Sequence, residues 1–97
     1  MSTSGAKRLE WKPRALRELS DTFEFIAAED PQAAWRMLER IREMAYMLTD
    51  QPLIGRKGRV RGTRELPIPR TPFLLIYRVR SRSLVIGRVL HHARRYP

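Results

Sequence analysis

Leu16, Leu19, Phe23, Ile26 and Ala27 fall on one helical stripe, and Ala34, Met37, Leu38, Ile41, Met44, Ala45 and Leu48 fall on a second. The spacing predicts helices over 13–28 and 31–48. Pro13 suits the first turn of the first helix, and Asp30-Pro31 supplies a cap and a first-turn proline for the second. So short a break implies an antiparallel hairpin. Phe25, Trp35 and Tyr46 lie off both stripes. Packing of Phe25 and Trp35 across the helix turn is the plainer expectation for these aromatics. A contact surface for a partner is the functional one.

Elsewhere the period changes to two. Leu9 and Trp11 alternate with Arg8, Glu10 and Lys12, as in a short half-buried strand. Residues 53–58 read as a loop. The segment 60–68 reads as a strand with Leu66 and Ile68 on its core face, and Pro67 and Pro69 push its end to an edge or a bulge. Residues 73–79 are nearly continuous in apolar, β-favouring side chains, as expected of a central strand, and 84–90 return beside it. The order β-α-α-β-β-β implies an α+β domain, with a helical hairpin on one face of a mainly antiparallel four-stranded sheet. If Phe73, Leu75, Tyr77 and Val79 meet the helices, Leu74, Ile76 and Arg78 face away. No predicted element covers that apolar strip, which makes it a partner site for an amphipathic acidic segment.

Composition narrows the partner. The 97 residues form one domain, with 1–6 expected to be disordered. The formal net charge is +10, and residues 51–97 hold twelve of the 20 Lys and Arg but one acid, Glu65. Such a field attracts nucleic acid, an anionic membrane or an acidic protein. The absence of cysteine excludes a disulfide scaffold, a thiolate zinc site and cysteine catalysis, and fits a reducing compartment. No apolar run approaches the roughly 18 residues that span a bilayer, and the start lacks a signal peptide's apolar core. A cytoplasmic protein without membrane contact is the expectation.

The segment Gly58-Arg59-Val60-Arg61-Gly62-Thr63-Arg64-Glu65-Leu66, then Pro72-Phe73-Leu74-Leu75-Ile76-Tyr77-Arg78-Val79, then Arg88-Val89-Leu90-His91-His92-Ala93-Arg94, resembles the RelE/ParE superfamily of bacterial toxins. The helical hairpin and the loop holding Pro52, Gly55 and Arg56 fit the same pattern. The resemblance spans residues 9–97. It implies the toxin of a type II toxin–antitoxin pair, bound by a small acidic antitoxin of ParD or RelB type in a hetero-oligomer such as a heterotetramer. ParE-like members inhibit DNA gyrase by binding, and RelE-like members cut mRNA on the ribosome. The nucleases carry an arginine on the central strand where this chain has Leu74. Their later arginine falls on Arg94, and Tyr96 is out of register with their terminal tyrosine. Their paired lysines fall near Lys57 and Arg59. The resemblance is therefore closer to the ParE-like branch.

Cleaving RNA without metal needs a base, an acid and cations for the phosphate. Glu65, His91, His92, Arg94 and Tyr96 are the candidates. Adjacent residues of an extended segment face opposite ways, so a single histidine would serve one site. The plainer reading packs one histidine and solvates the other. His-His without a nearby carboxylate lacks a usual metal set, so neither metal nor cofactor is expected. The aromatics do not interleave with the arginines as a base-stacking surface would require. Pairing with antitoxin carboxylates is a more economical use of Arg59, Arg61, Arg64, Arg78 and Arg88, around Leu74 and Ile76.

Overall fold

The computed structural model describes residues 6–92 and 96. Strand β1 (Arg8–Trp11) leads into helices α1 (Pro13–Ala27) and α2 (Pro31–Asp50). Strands β2 (Arg56–Lys57), β3 (Arg64–Pro67), β4 (Phe73–Val79) and β5 (Ser83–His91) follow. The prolines act as expected. Pro13 and Pro31 open the helices, and Asp30 Oδ1 accepts the Ala33 N–H at 3.1 Å.

The sheet runs β1-β5-β4-β3-β2, with β1 parallel to β5 and every other pairing antiparallel. The α+β fold is the one expected, but the sheet has five strands rather than four. The fifth, β2, lies inside the expected loop 53–58. The strand expected over 60–68 shrinks to β3, because 58–63 turn back as a tight connection. There the Gly58 N–H donates to Thr63 O at 2.8 Å and the Thr63 N–H to Val60 O at 3.1 Å. Gly62 supplies the left-handed residue, with φ +83°.

The hairpin covers one face of the sheet. Ile41 and Leu48 from α2 are fully buried with Leu75 and Tyr77 of β4 and Leu84 and Ile86 of β5. Helix α1 turns a different edge inward than its stripe implied: Ala15 is fully buried and Leu16 is 49% exposed. Tyr77 ties the loop after α2 to this core. Its hydroxyl accepts the Gly55 N–H at 3.0 Å and donates to Pro52 O at 2.7 Å. Burial raises the Tyr77 pKa, outweighing the opposing Gly55 hydrogen bond and the nearby Arg64 charge. A side chain at residue 55 would collide with the same ring, so this approach requires glycine.

The opposite face of the sheet is not the open strip expected. Leu74, Ile76 and Leu90 are 3%, 2% and 3% exposed, and Tyr96, from the chain's own C-terminal segment, packs against them.

Candidate functional site

Three strands bring the polar groups of this second face together. On β3, Glu65 lies opposite Ile76 of β4 on one side and Arg56 of β2 on the other. Its carboxylate is 1% exposed. Glu65 Oε1 accepts from the guanidinium groups of Arg56 at 3.2 Å and Arg59 at 3.3 Å, and Oε2 accepts the Arg59 backbone N–H at 2.9 Å. Burial alone would raise the Glu65 pKa. The Arg59 N–H and the two guanidinium groups outweigh it and hold the carboxyl below its ordinary value.

Arg59 then reaches Tyr96, whose carbonyl oxygen accepts from Nη1 at 3.2 Å. The Tyr96 ring lies 5.7 Å from the guanidinium carbon of Arg59 and 5.7 Å from that of Arg88, within cation–π range of both. Arg88 pairs in turn with Glu18 of α1, at 2.8 Å through Nε and 2.7 Å through Nη2. A bulge where the register shifts between Ile76 and Tyr77 puts Arg88 opposite Ile76. Glu65, Arg59, Tyr96, Arg88 and Glu18 thus form one chain of alternating charges with an aromatic ring at its centre. Every charge in it has a partner, which suits a locked surface better than an open acid–base pair.

The remaining expected residues are dispersed. Arg61 is exposed on the 58–63 connection. Arg64 donates to Leu53 O at 3.3 Å and Gly55 O at 2.8 Å, and Arg78 to Arg61 O at 3.4 Å. Both histidines are exposed and both engage Phe73. The His91 ring meets the Phe73 ring edge-on at 5.5 Å, and His92 Nε2 lies 3.2 Å from Phe73 O. Neither contact involves Glu65. Arg94 lies outside the described residues, as do 1–5 of the expected disordered start. Among the described residues no cluster of His, Asp or Glu can hold a metal, and no helix is long and apolar enough to cross a membrane.

Two features escaped the sequence reading. Glu18 sits 70 residues from Arg88 and carries no local signal of the pairing. The other is a groove of about 690 Å³ where α1 and α2 meet the start of β4, with Phe25, Ile26, Met37, Arg70, Phe73 and His91 in its lining. The off-stripe Phe25 was its only trace. Trp35 packs edge-on against Phe23 at 4.8 Å, not against Phe25, and Phe25 is left 83% exposed.

Comparison with known proteins agrees with this architecture. The family described as ParE toxin of type II toxin-antitoxin system, parDE, matches residues 9–96. A Sinorhizobium fredii protein named "Putative toxin Y4kP" is 38% identical over 91 residues, 94% of each chain. The solved chromosomal ParDE system from P. aeruginosa superposes with a TM-score of 0.81 at 24% identity, covering 90% of this chain and 97% of that one. The toxin–antitoxin complex RelBE2 of Mycobacterium tuberculosis gives 0.68 at 25% identity, covering 97% and 100%.

Proposed function

The chain belongs to the ParE family of toxins from type II toxin–antitoxin systems, and from that premise we propose that it inhibits DNA gyrase by binding and is held inactive by an acidic antitoxin. The observation that carries the binding reading is the state of Glu65. It is the one acid among residues 51–97, it is buried, and three donors from Arg56 and Arg59 occupy it. A general base must reach the proton it removes. Leu74, at the position where the resembling nucleases carry an arginine, is buried and apolar.

The antitoxin reading draws on the groove between the hairpin and β4. Its apolar lining, flanked by one cation, Arg70, and one acid, Asp21, suits an amphipathic segment that sets a carboxylate against Arg70. The similar ParDE and RelBE2 structures are toxin–antitoxin systems, which supports such a partner here. A hetero-oligomer such as a heterotetramer is the assembly we expect.

The convergence of Arg59, Glu65, Arg88 and Tyr96 favours a second reading, a ribosome-dependent endoribonuclease. In that mechanism Tyr96 would have to lift and Glu65 would have to exchange a guanidinium for a ribose hydroxyl. One pair of assays separates the two. The purified chain should block supercoiling by gyrase and leave translated message intact. Message cut in the ribosome with gyrase unaffected would replace the first reading by the second.

A further inference from the structure

Six cations outside the Glu65 network gather at one place, while Arg17, Arg36, Arg40 and Arg42 lie along the hairpin and Arg70 beside the groove. In the register, Lys57 pairs with Arg64, and Val79 pairs with Leu84 where β4 turns into β5. The end of the sheet that holds the 58–63 connection and the β4–β5 turn therefore collects Lys57, Arg61, Arg64, Arg78, Arg80 and Arg82. Among the described residues, ion pairs engage Arg8, Arg14, Arg56, Arg59 and Arg88, and none of these six. Lys7 adds a seventh cation by donating to the turn carbonyls of Arg80 at 2.7 Å and Ser81 at 3.0 Å. Arg64 and Arg78 are held in place by backbone carbonyls, so their charge is fixed without being neutralised.

The surroundings of these cations narrow what they bind. A cleft of about 410 Å³ lies among Lys57, Arg61 and Arg64, with Gly58, Gly62 and Thr63 in its lining and Val79 its single large apolar side chain. A peptide partner needs buried apolar anchors for its affinity. The large apolar groove lies at the opposite end of β4, beside Phe25 and Phe73, and the cleft that Arg80 and Arg82 line offers Trp11 beside the acid Glu10. In the cleft among Lys57, Arg61 and Arg64, cations without such anchors fit a ligand that is charged along its length and presents little apolar surface. That describes a phosphodiester backbone, bound through phosphates without sequence readout.

We propose that this end of the sheet binds the phosphate backbone of duplex DNA. The choice of duplex rests on the gyrase reading, since that target works on DNA. The phosphate contact itself rests on the unpaired cations.

Fluorescence anisotropy on a labelled mixed-sequence duplex of about 20 base pairs tests it, by the slope of log K against log salt concentration. Arg61, Arg80 and Arg82 are exposed, so the combined substitution Arg61→Gln, Arg80→Gln and Arg82→Gln removes charge and leaves the core intact. The slope should fall in magnitude by about 3, close to one per lost phosphate contact. The control Arg17→Gln, Arg36→Gln and Arg42→Gln removes the same charge from the exposed side of the hairpin and should leave the slope near wild type. Equal slopes for the two variants would overturn the proposal. So would displacement of the duplex by polyglutamate, or by single-stranded RNA of equal length, at lower charge concentration than unlabelled duplex. Supercoiling inhibition measured alongside separates the two readings. A chain that blocks gyrase without binding duplex overturns this proposal and leaves the gyrase reading standing. Duplex binding through the three arginines with gyrase unaffected supports it and removes the gyrase reading.

Discussion

Glu65 cannot exchange the arginines around it without loss of stability. Its folded pKa is depressed, so its contribution is fully present above the unfolded value near 4.5 and is lost as pH falls through the folded value. Glu65→Gln keeps the shape, discards the charge and turns an amide toward guanidinium groups. Arg56 and Arg59 are half exposed, which tempers the cost, and a loss of about 1–3 kcal/mol at pH 7 is expected in urea unfolding. The gap from wild type should narrow as the pH is taken below about 4.5. A gap that stays constant with pH would show that Glu65 acts through packing alone. Tyr77→Phe should cost a similar amount, about 1–3 kcal/mol, because it strands the Gly55 N–H and the Pro52 carbonyl. The expected reporter is loosening of the 52–55 loop, read as faster exchange of the Gly55 amide. Glu65 was visible in the sequence as the lone acid of a cationic half. Its partners are half legible: the sequence groups Arg59 with the arginines suited to antitoxin carboxylates and gives Arg56 no contact. The pairings come from β2 and the tight connection after it, neither of which periodicity can announce.

At the scale of elements, Glu18 does the work of a missing strand. Strand β1 pairs with β5 only as far as Ile86, so the edge of β5 is open beyond it. Glu18 Oε1 accepts the Val89 N–H at 2.9 Å while Oε2 holds Arg88, closing an edge that would otherwise offer a free donor. Glu18→Ala should lower stability by about 1–3 kcal/mol. It should also speed exchange of the Val89 amide by about tenfold or more, since 1.4 kcal/mol of local protection corresponds to a factor of ten. Glu18→Gln, which keeps an acceptor for Val89, should fall between. Unchanged Val89 exchange in Glu18→Ala would refute the edge role. Long periodic elements were legible without the structure: α2, β4 and β5 lie within two residues of their expected bounds. The face of α1 was less so. Ala15 goes fully inside and Leu16 stays half outside because small side chains let α1 lie close to the sheet, a distance no hydrophobic stripe encodes. The expected strand 60–68 failed at Gly62, whose positive φ reverses the chain.

At the scale of the whole molecule, β4 separates two surfaces of different chemistry. Its first residue, Phe73, lines the apolar groove, and its last, Val79, lines the cationic cleft. Six strand steps set them roughly 20 Å apart. The sequence showed the charge imbalance but not this division, because the arginines it grouped as one set divide between the Tyr96 network and the far end of the sheet. If the antitoxin anchors in the groove, Phe25 is the residue to remove. It is 83% exposed, so Phe25→Ser should change folding stability by no more than about 0.5 kcal/mol. An aromatic anchor at an interface contributes about 1.4–3 kcal/mol, so antitoxin affinity should fall by about 10- to 100-fold in calorimetric titration. Co-expressed antitoxin should then no longer restore growth. The combined Arg61, Arg80 and Arg82 variant should behave oppositely, binding the antitoxin with near wild-type affinity. Full neutralisation of Phe25→Ser, with wild-type affinity, would move the antitoxin off the groove and return the cationic end of the sheet to contention as its docking face.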